Sequence, residues 1–135
     1  MPYQVYWGDD AQSVIHCEAH GHWSWTEYHQ ALDQIAQLAK SVPHRVDMIS
    51  IRMPNSHKPS GLGLPHYQRS VKVMPANVRR MILVTGNQRD TLLSNRWINA
   101  LARNLIKHII FASSLEEAQA MIAEDRAEAL SPVRG

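Results

Sequence analysis

The amino-acid sequence predicts an α/β domain: a mixed, mostly parallel sheet of about five strands, with an N-terminal β-hairpin and about four helices. Three observations lead there. Two strand-like stretches near the N-terminus are separated by little more than Gly8-Asp9-Asp10, a turn short enough to make them antiparallel neighbours. From Ser24 onward, segments of helical period alternate with short β-branched runs, the signature of β-α-β units and a parallel sheet. One of those runs, Met81-Ile82-Leu83-Val84, is apolar on both faces, as a strand covered on both sides must be.

Taken in order, Tyr3 to Trp7 is aromatic and β-branched and reads as a strand. Ser13 to His20 alternates, with Ile15, Cys17 and Ala19 on one face and Val14, His16, Glu18 and His20 on the other. Ser24-Trp25-Thr26-Glu27 has capping-box spacing, in which the serine accepts a free backbone N–H and the glutamate reaches back. Trp25, Tyr28, Leu32, Ile35, Ala36 and Ala39 follow as one apolar stripe of a helix that must end before Pro43. Val46 to Met53 is the next strand.

Pro54 to Pro65 is punctuated too densely by proline and glycine for a regular element, and a short helix over His66 to Val73 follows it. A strand over Arg80 to Thr85 turns through Gly86-Asn87-Gln88 into a helix of about Arg89 to Asn104, with Leu93, Trp97, Ala100, Leu101 and Leu105 inward and Arg89, Arg96 and Arg103 outward. His108 to Phe111 is the last strand. Ser113-Ser114-Leu115-Glu116-Glu117 offers two overlapping capping boxes to a final helix with Leu115, Ala118 and Ile122 inward. The chain reads as one domain over 1–130 with a fraying tail at 131–135.

Bulk properties narrow the class. Apolar residues make up 44% and charged residues 19%, which is globular composition and excludes a disordered chain. No apolar run approaches the roughly 18 residues that span a bilayer, and the start lacks the basic-then-apolar pattern of a secretory signal. Cys17 is the single cysteine, so no internal disulfide forms, which points to a reducing, cytoplasmic setting. Charge is segregated. Residues 1–39 are acidic, basic side chains from Lys40 to Lys107 face only Asp47 and Asp90, and the last segment is acidic again. Such a middle pairs with the acidic ends of its own fold or of a second subunit, or attracts an anionic ligand.

The element order and several stretches resemble the SpoIIAA-like branch of the STAS superfamily. They are the Trp23-Ser24-Trp25-Thr26-Glu27 helix entry, Val42 to Asp47, the Met81 to Val84 strand and Ser114 to Ala118. The resemblance covers most of the chain and implies a regulatory fold without catalytic machinery. Ser60-Gly61-Leu62-Gly63-Leu64 is similar to the stretch that follows the phosphorylated serine of antagonist STAS proteins. Lys58-Pro59 stands where that family carries Asp-Ser, so Ser60 is the remaining hydroxyl that a phosphate would reach. Otherwise the glycines serve to shape a turn into the next helix.

Chemical constellations are sparse. His16, His20 and His22 share strand parity and with Glu18 make a nitrogen and oxygen ligand set for a transition metal, or else a wet sheet face. His29 reads as solvated, while His44, His57 and His66 border loops. No Gly-x-Ser-x-Gly elbow exists, and Cys17 points inward as a small hydrophobe. The turn at Gly86 and Asn87, with Arg89 and Arg96 beyond it, offers free N–H groups and charge to an anion or else a plain helix cap. Trp7 and Trp23 lie at strand ends, where they line a pocket, anchor a partner or fill the core. No nucleic-acid recognition motif accompanies the basic residues.

The expectation is therefore a non-enzymatic regulatory or binding module with no catalytic residue and no cofactor. It would engage a protein partner or a small apolar or anionic ligand through Ser60, Gly61, Leu62, Leu64, Gly86, Asn87, Arg89 and Arg96. The alternatives are a metal protein or enzyme built on the His16, Glu18, His20 and His22 face, and a homodimer in which acidic and basic segments pair.

Overall fold

The computed structural model describes residues 2–61, 63–84 and 109–130. Within them the order is β1 (Tyr3–Trp7), β2 (Val14–Ala19), α1 (Trp25–Lys40), β3 (Val46–Arg52), α2 (Leu64–Val73), β4 (Val78–Val84), β5 (Ile109–Ala112) and α3 (Leu115–Leu130). The expected helix over 89–104, the Gly86-Asn87 turn and the 131–135 tail lie outside the described residues.

The five strands form one sheet in the order β1-β2-β3-β4-β5. β1 and β2 are antiparallel, pairing Tyr3 with Ala19 and Trp7 with Ile15, and every other pair is parallel. The order steps the same way across the sheet at each crossover. Crossovers of one hand that step one way lay their helices on one face, and α1 and α2 do share a face. Their core holds Ile15, Cys17, Leu32, Ile35, Val46 and Met48, with Val71 of α2 packed against it. α3 covers the other face through Ala118 and Ile122 against Ile49, Ile82 and Val84. β4 is thus buried on both sides, as its uninterrupted apolar run requires.

Local chemistry sets the element ends. Ser24 Oγ accepts the Glu27 N–H at 3.1 Å and Glu27 Oε1 accepts the Ser24 N–H at 3.0 Å, closing the capping box of α1. Ser114 Oγ accepts the Glu117 N–H at 3.1 Å, and the Glu117 carboxylate accepts the Ser113 N–H at 3.1 Å, so Ser114 caps α3 while Glu117 reaches one residue further back than a capping box requires. α2 begins two residues before the expected His66, because Pro65 fits the first helical turn, where its missing N–H has no partner to lose. Gly61 has φ +100°, a conformation closed to most side chains, so the Ser60-Gly61 stretch does shape the turn into α2.

The amino ends of the parallel strands are closed by charge. Asp47, fully buried, accepts from Arg45 at 3.1 Å, from Arg126 at 2.8 Å and from the Arg80 backbone N–H at 3.1 Å. Asp125 of α3 bridges Arg45 at 2.5 Å and Arg80 at 2.8 Å. Arg126 also donates to the Ser13 carbonyl at 2.8 Å, ahead of β2. Part of the basic middle of the sequence therefore pairs with the acidic end of its own fold.

Candidate functional site: an aromatic cavity at the carboxyl ends of the strands

The opposite end of the sheet carries aromatic groups instead. β2 ends at Ala19, and Gly21, at φ +60°, turns the chain across the strand ends so that Trp23 folds back over the sheet. Capping at Ser24 then aims Trp25 and Tyr28 along the first turns of α1. β1 brings Tyr3 opposite Ala19, β3 ends on Arg52, and the first turn of α2 carries His66 and Tyr67. Three of the four tyrosines and two of the four tryptophans thereby gather in one place.

The rings pack mostly edge to face, the arrangement their quadrupoles favour. Tyr3 meets Trp23 at 5.5 Å and 69°, Trp23 meets Trp25 at 5.1 Å and 90°, and Trp25 meets Tyr67 at 6.0 Å and 78°. His66 stacks flat on Trp25 at 4.0 Å. The Arg52 guanidinium lies 5.9 Å from both the Trp23 and the Tyr67 ring centroids and donates to the Tyr67 hydroxyl.

Beneath these rings is a cavity between the sheet and the seam of α1 and α2. Its floor is Cys17, Ala19, Met48, Ser50 and Met81, its α1 wall is Ala31, Leu32 and Ile35, and Tyr3, Trp23, Tyr28, Arg52 and Tyr67 close it. The space left at the centre is about 30 Å³, room for a water or two. Trp23 is 4% exposed, and its Nε1–H is buried with no acceptor among the described residues. Burial pushes the Cys17 thiol up to about 12, so it stays protonated, and Ser50 is hydrogen-bonded to it. Burial likewise raises the Tyr3 and Tyr28 hydroxyls, so both remain donors at neutral pH. No carboxylate and no imidazole is among the described lining residues. The described lining thus joins apolar walls to residues that carry N–H, O–H and guanidinium donors, a chemistry complementary to an oxygen acceptor rather than to a cation.

The expected sites fare unevenly. Ser60 and Gly61 are exposed, just ahead of α2, while Leu62, Gly86, Asn87, Arg89 and Arg96 and the side chain of Leu64 lie outside the described residues. The Pro54 to Pro65 loop is pinned at its start, where Met53 N–H donates to the Ala19 carbonyl at 3.0 Å and His57 N–H to Gly21 at 2.7 Å.

The histidines of the expected face are separated. His16 is 9% exposed, edge-on to Tyr6 and against Gly8, where an added Cβ would stand 2.5 Å from its Nε2. Burial lowers its pKa. Glu18 accepts from Tyr6 and lies 3.0 Å from His20. The turn at Gly21 then breaks the parity, and His22 stacks on His57 at 4.2 Å. Among the described residues no three His, Cys, Asp or Glu side chains gather as a metal set. His29 is not solvated as expected. It is half-buried, its Nε2 lies 2.9 Å from His66 Nδ1, and burial lowers its pKa, with His66 and Arg69 adding to the effect.

Sequence reading placed Trp23 at a strand end where it could line a pocket, but it missed Tyr3, Tyr28, Arg52 and Tyr67 as one group. The available signal was the crowding of aromatics around the end of β2 and the start of α1. Nothing in the linear order tied them to Arg52 and Tyr67. No protein-family model matches the chain, and no curated protein matches it in sequence.

Proposed function

We propose that the chain is a non-enzymatic binding module of STAS-like plan, and that its cavity takes a small, largely apolar ligand through one oxygen acceptor, a carboxylate or a carbonyl. The observation that carries this reading is the Trp23 N–H, buried with no acceptor among the described residues, on a ring that the Arg52 guanidinium lies over. An unsatisfied buried donor costs about 1–3 kcal/mol, which an incoming oxygen would recover. The walls favour an apolar body, and a described lining with an arginine and without a carboxylate favours an anionic head. The protonated thiol argues against nucleophilic catalysis by Cys17. The cavity is too small for a whole ligand as it stands, so entry parts the Trp25 and Tyr67 side of the cage, where α1 meets α2. A regulatory role follows from that motion, because a ligand that reorders α2 also moves the Ser60-Gly61 turn ahead of it. A reducing cytoplasmic setting suits the single buried thiol.

Thermal unfolding of the full chain tests the reading against short and medium-chain fatty acids, aromatic carboxylates, the matching alcohols and inorganic phosphate. A ligand at 100 times its dissociation constant adds about 2.7 kcal/mol, a rise of roughly 10 °C for a chain of this size. The expected result is a shift with an acid or carbonyl compound, absent with the matching alcohol and weakened at least tenfold by Arg52→Met and by Trp23→Phe. A flat screen, or a shift indifferent to both substitutions, overturns it.

A further inference from the structure

We propose that β1 is a dimerisation strand: two copies of this chain join antiparallel along its outer edge, with Val5 on the two-fold axis. The argument begins with where the β1 backbone groups go. Gly8 N–H donates to the Val14 carbonyl and His20 N–H to the Pro2 carbonyl, both at 2.7 Å. Residues 2 and 8 are therefore in hydrogen-bonded pairs with β2, and by alternation so are Gln4 and Tyr6. The N–H and C=O groups of Tyr3, Val5 and Trp7 then point away from the sheet. β1 is the end of the strand order, and no described residue bonds to those groups.

Natural edge strands are guarded by charges, prolines, bulges or cover. Tyr3-Gln4-Val5-Tyr6-Trp7 has no charge and no proline, and its register with β2 runs unbroken. Self-pairing about Val5 sets Tyr3 opposite Trp7 of the second copy. Every outward N–H of both strands then finds a carbonyl across the seam, and no like charges meet.

The side chains fit the same operation. Tyr3, Val5 and Trp7 project to the α1 face. Beside Tyr3 on that face is a groove of about 310 Å³ between the start of β1 and α1, lined by Pro2, Glu27, Gln30, Ala31 and Gln34. The two-fold places Trp7 of the second copy at its mouth, a large aromatic against a partly apolar recess, as interface anchors are built. α1 lies over β1 and β2. Pairing at strand spacing sets the two α1 helices about 10 Å apart, an ordinary packing distance, with the exposed, uncharged Gln30 and Gln34 between them.

Light scattering and disulfide trapping on the full chain test this. The wild type is expected at twice 15.3 kDa at tens of micromolar. Gln4 and Tyr6 are exposed on the opposite face and stand across from each other in the proposed pair, at non-hydrogen-bonded positions close enough for a disulfide. Gln4→Cys with Tyr6→Cys should therefore cross-link the copies under mild oxidation, while Tyr6→Cys alone should not, and the buried Cys17 does not compete. Gln4→Lys with Tyr6→Lys should give a folded monomer, its melting curve confirming the fold. A monomeric wild type without cross-linking overturns the proposal. So does a dimer that survives the paired lysines or cross-links equally through Tyr6→Cys alone.

Discussion

Cys17 and Trp23 lie six residues apart and face the same cavity, yet burial acts on them in opposite ways. The thiol is shielded, hydrogen-bonded to Ser50 and held protonated, so it fills space. The indole N–H is shielded and has no acceptor among the described residues, so its burial is costly. Alkylation separates the two roles. Iodoacetamide should label Cys17 slowly in native buffer, no faster than the Trp25 and Tyr67 side of the cage parts, and the rate should rise steeply across the urea transition. Rapid labelling in native buffer would mean that the cavity opens far more readily than its packing allows. His16 teaches a related lesson. Its place beside Glu18 and His20 in the alternation suggested a wet face, but Gly8 and Tyr6 close over it.

Among the elements, α1 controls the site because its first turn carries Trp25 and Tyr28. Its entry angle is fixed by the Ser24 and Glu27 box. Ser24→Ala should cost about 1 kcal/mol in urea unfolding and should lower the affinity of whatever ligand the thermal screen finds. A loss of stability equal to that of an Ala substitution at Ser41, beyond the far end of α1, with no change in binding, would detach the cap from the site. α2 contributes by its start. Gly61 at positive φ and Pro65 in the first turn set where His66 and Tyr67 stand. Those devices were visible as a proline and glycine cluster, but they read as the end of a loop when they also begin the helix.

At the scale of the whole molecule, the two ends of the sheet divide the work. The amino ends are stapled by Asp47, Asp125 and their arginines, and the carboxyl ends are closed by rings around a small void. The staple has a pH signature. Arg80 and Arg45 hold the Asp125 carboxyl at about 2, below its ordinary 3.8. A lowered folded value means that this stability is complete above about pH 4 and drains away as the pH falls towards 2. The slope of unfolding free energy against pH should be steep there and shallower by close to one proton in Asp125→Asn. An unchanged slope would show that Asp125 adds nothing to acid stability. The cavity end should be insensitive over the same range, because no lining group titrates between pH 2 and 4.

Local pattern was enough to read the hairpin, the strand positions to within two residues, the capping box of α1, the Ser114 cap of α3 and the buried stripes of both helices, because each is set by interactions between residues close in sequence. The α/β class and the mostly parallel sheet followed from their alternation. The cavity was not legible. It depends on the strand order, which sets the end of β3 beside the end of β2, and on the positive-φ turn at Gly21, which folds Trp23 back over that junction. Asp47, one of two acids in a basic stretch, likewise gained its meaning only when α3 brought Arg126 to it across the sheet. The sequence by itself determined which segments are strands and helices and which faces they bury. Only the tertiary structure decided which distant side chains share a site, because that choice is made by packing between elements and not by the period within any one of them.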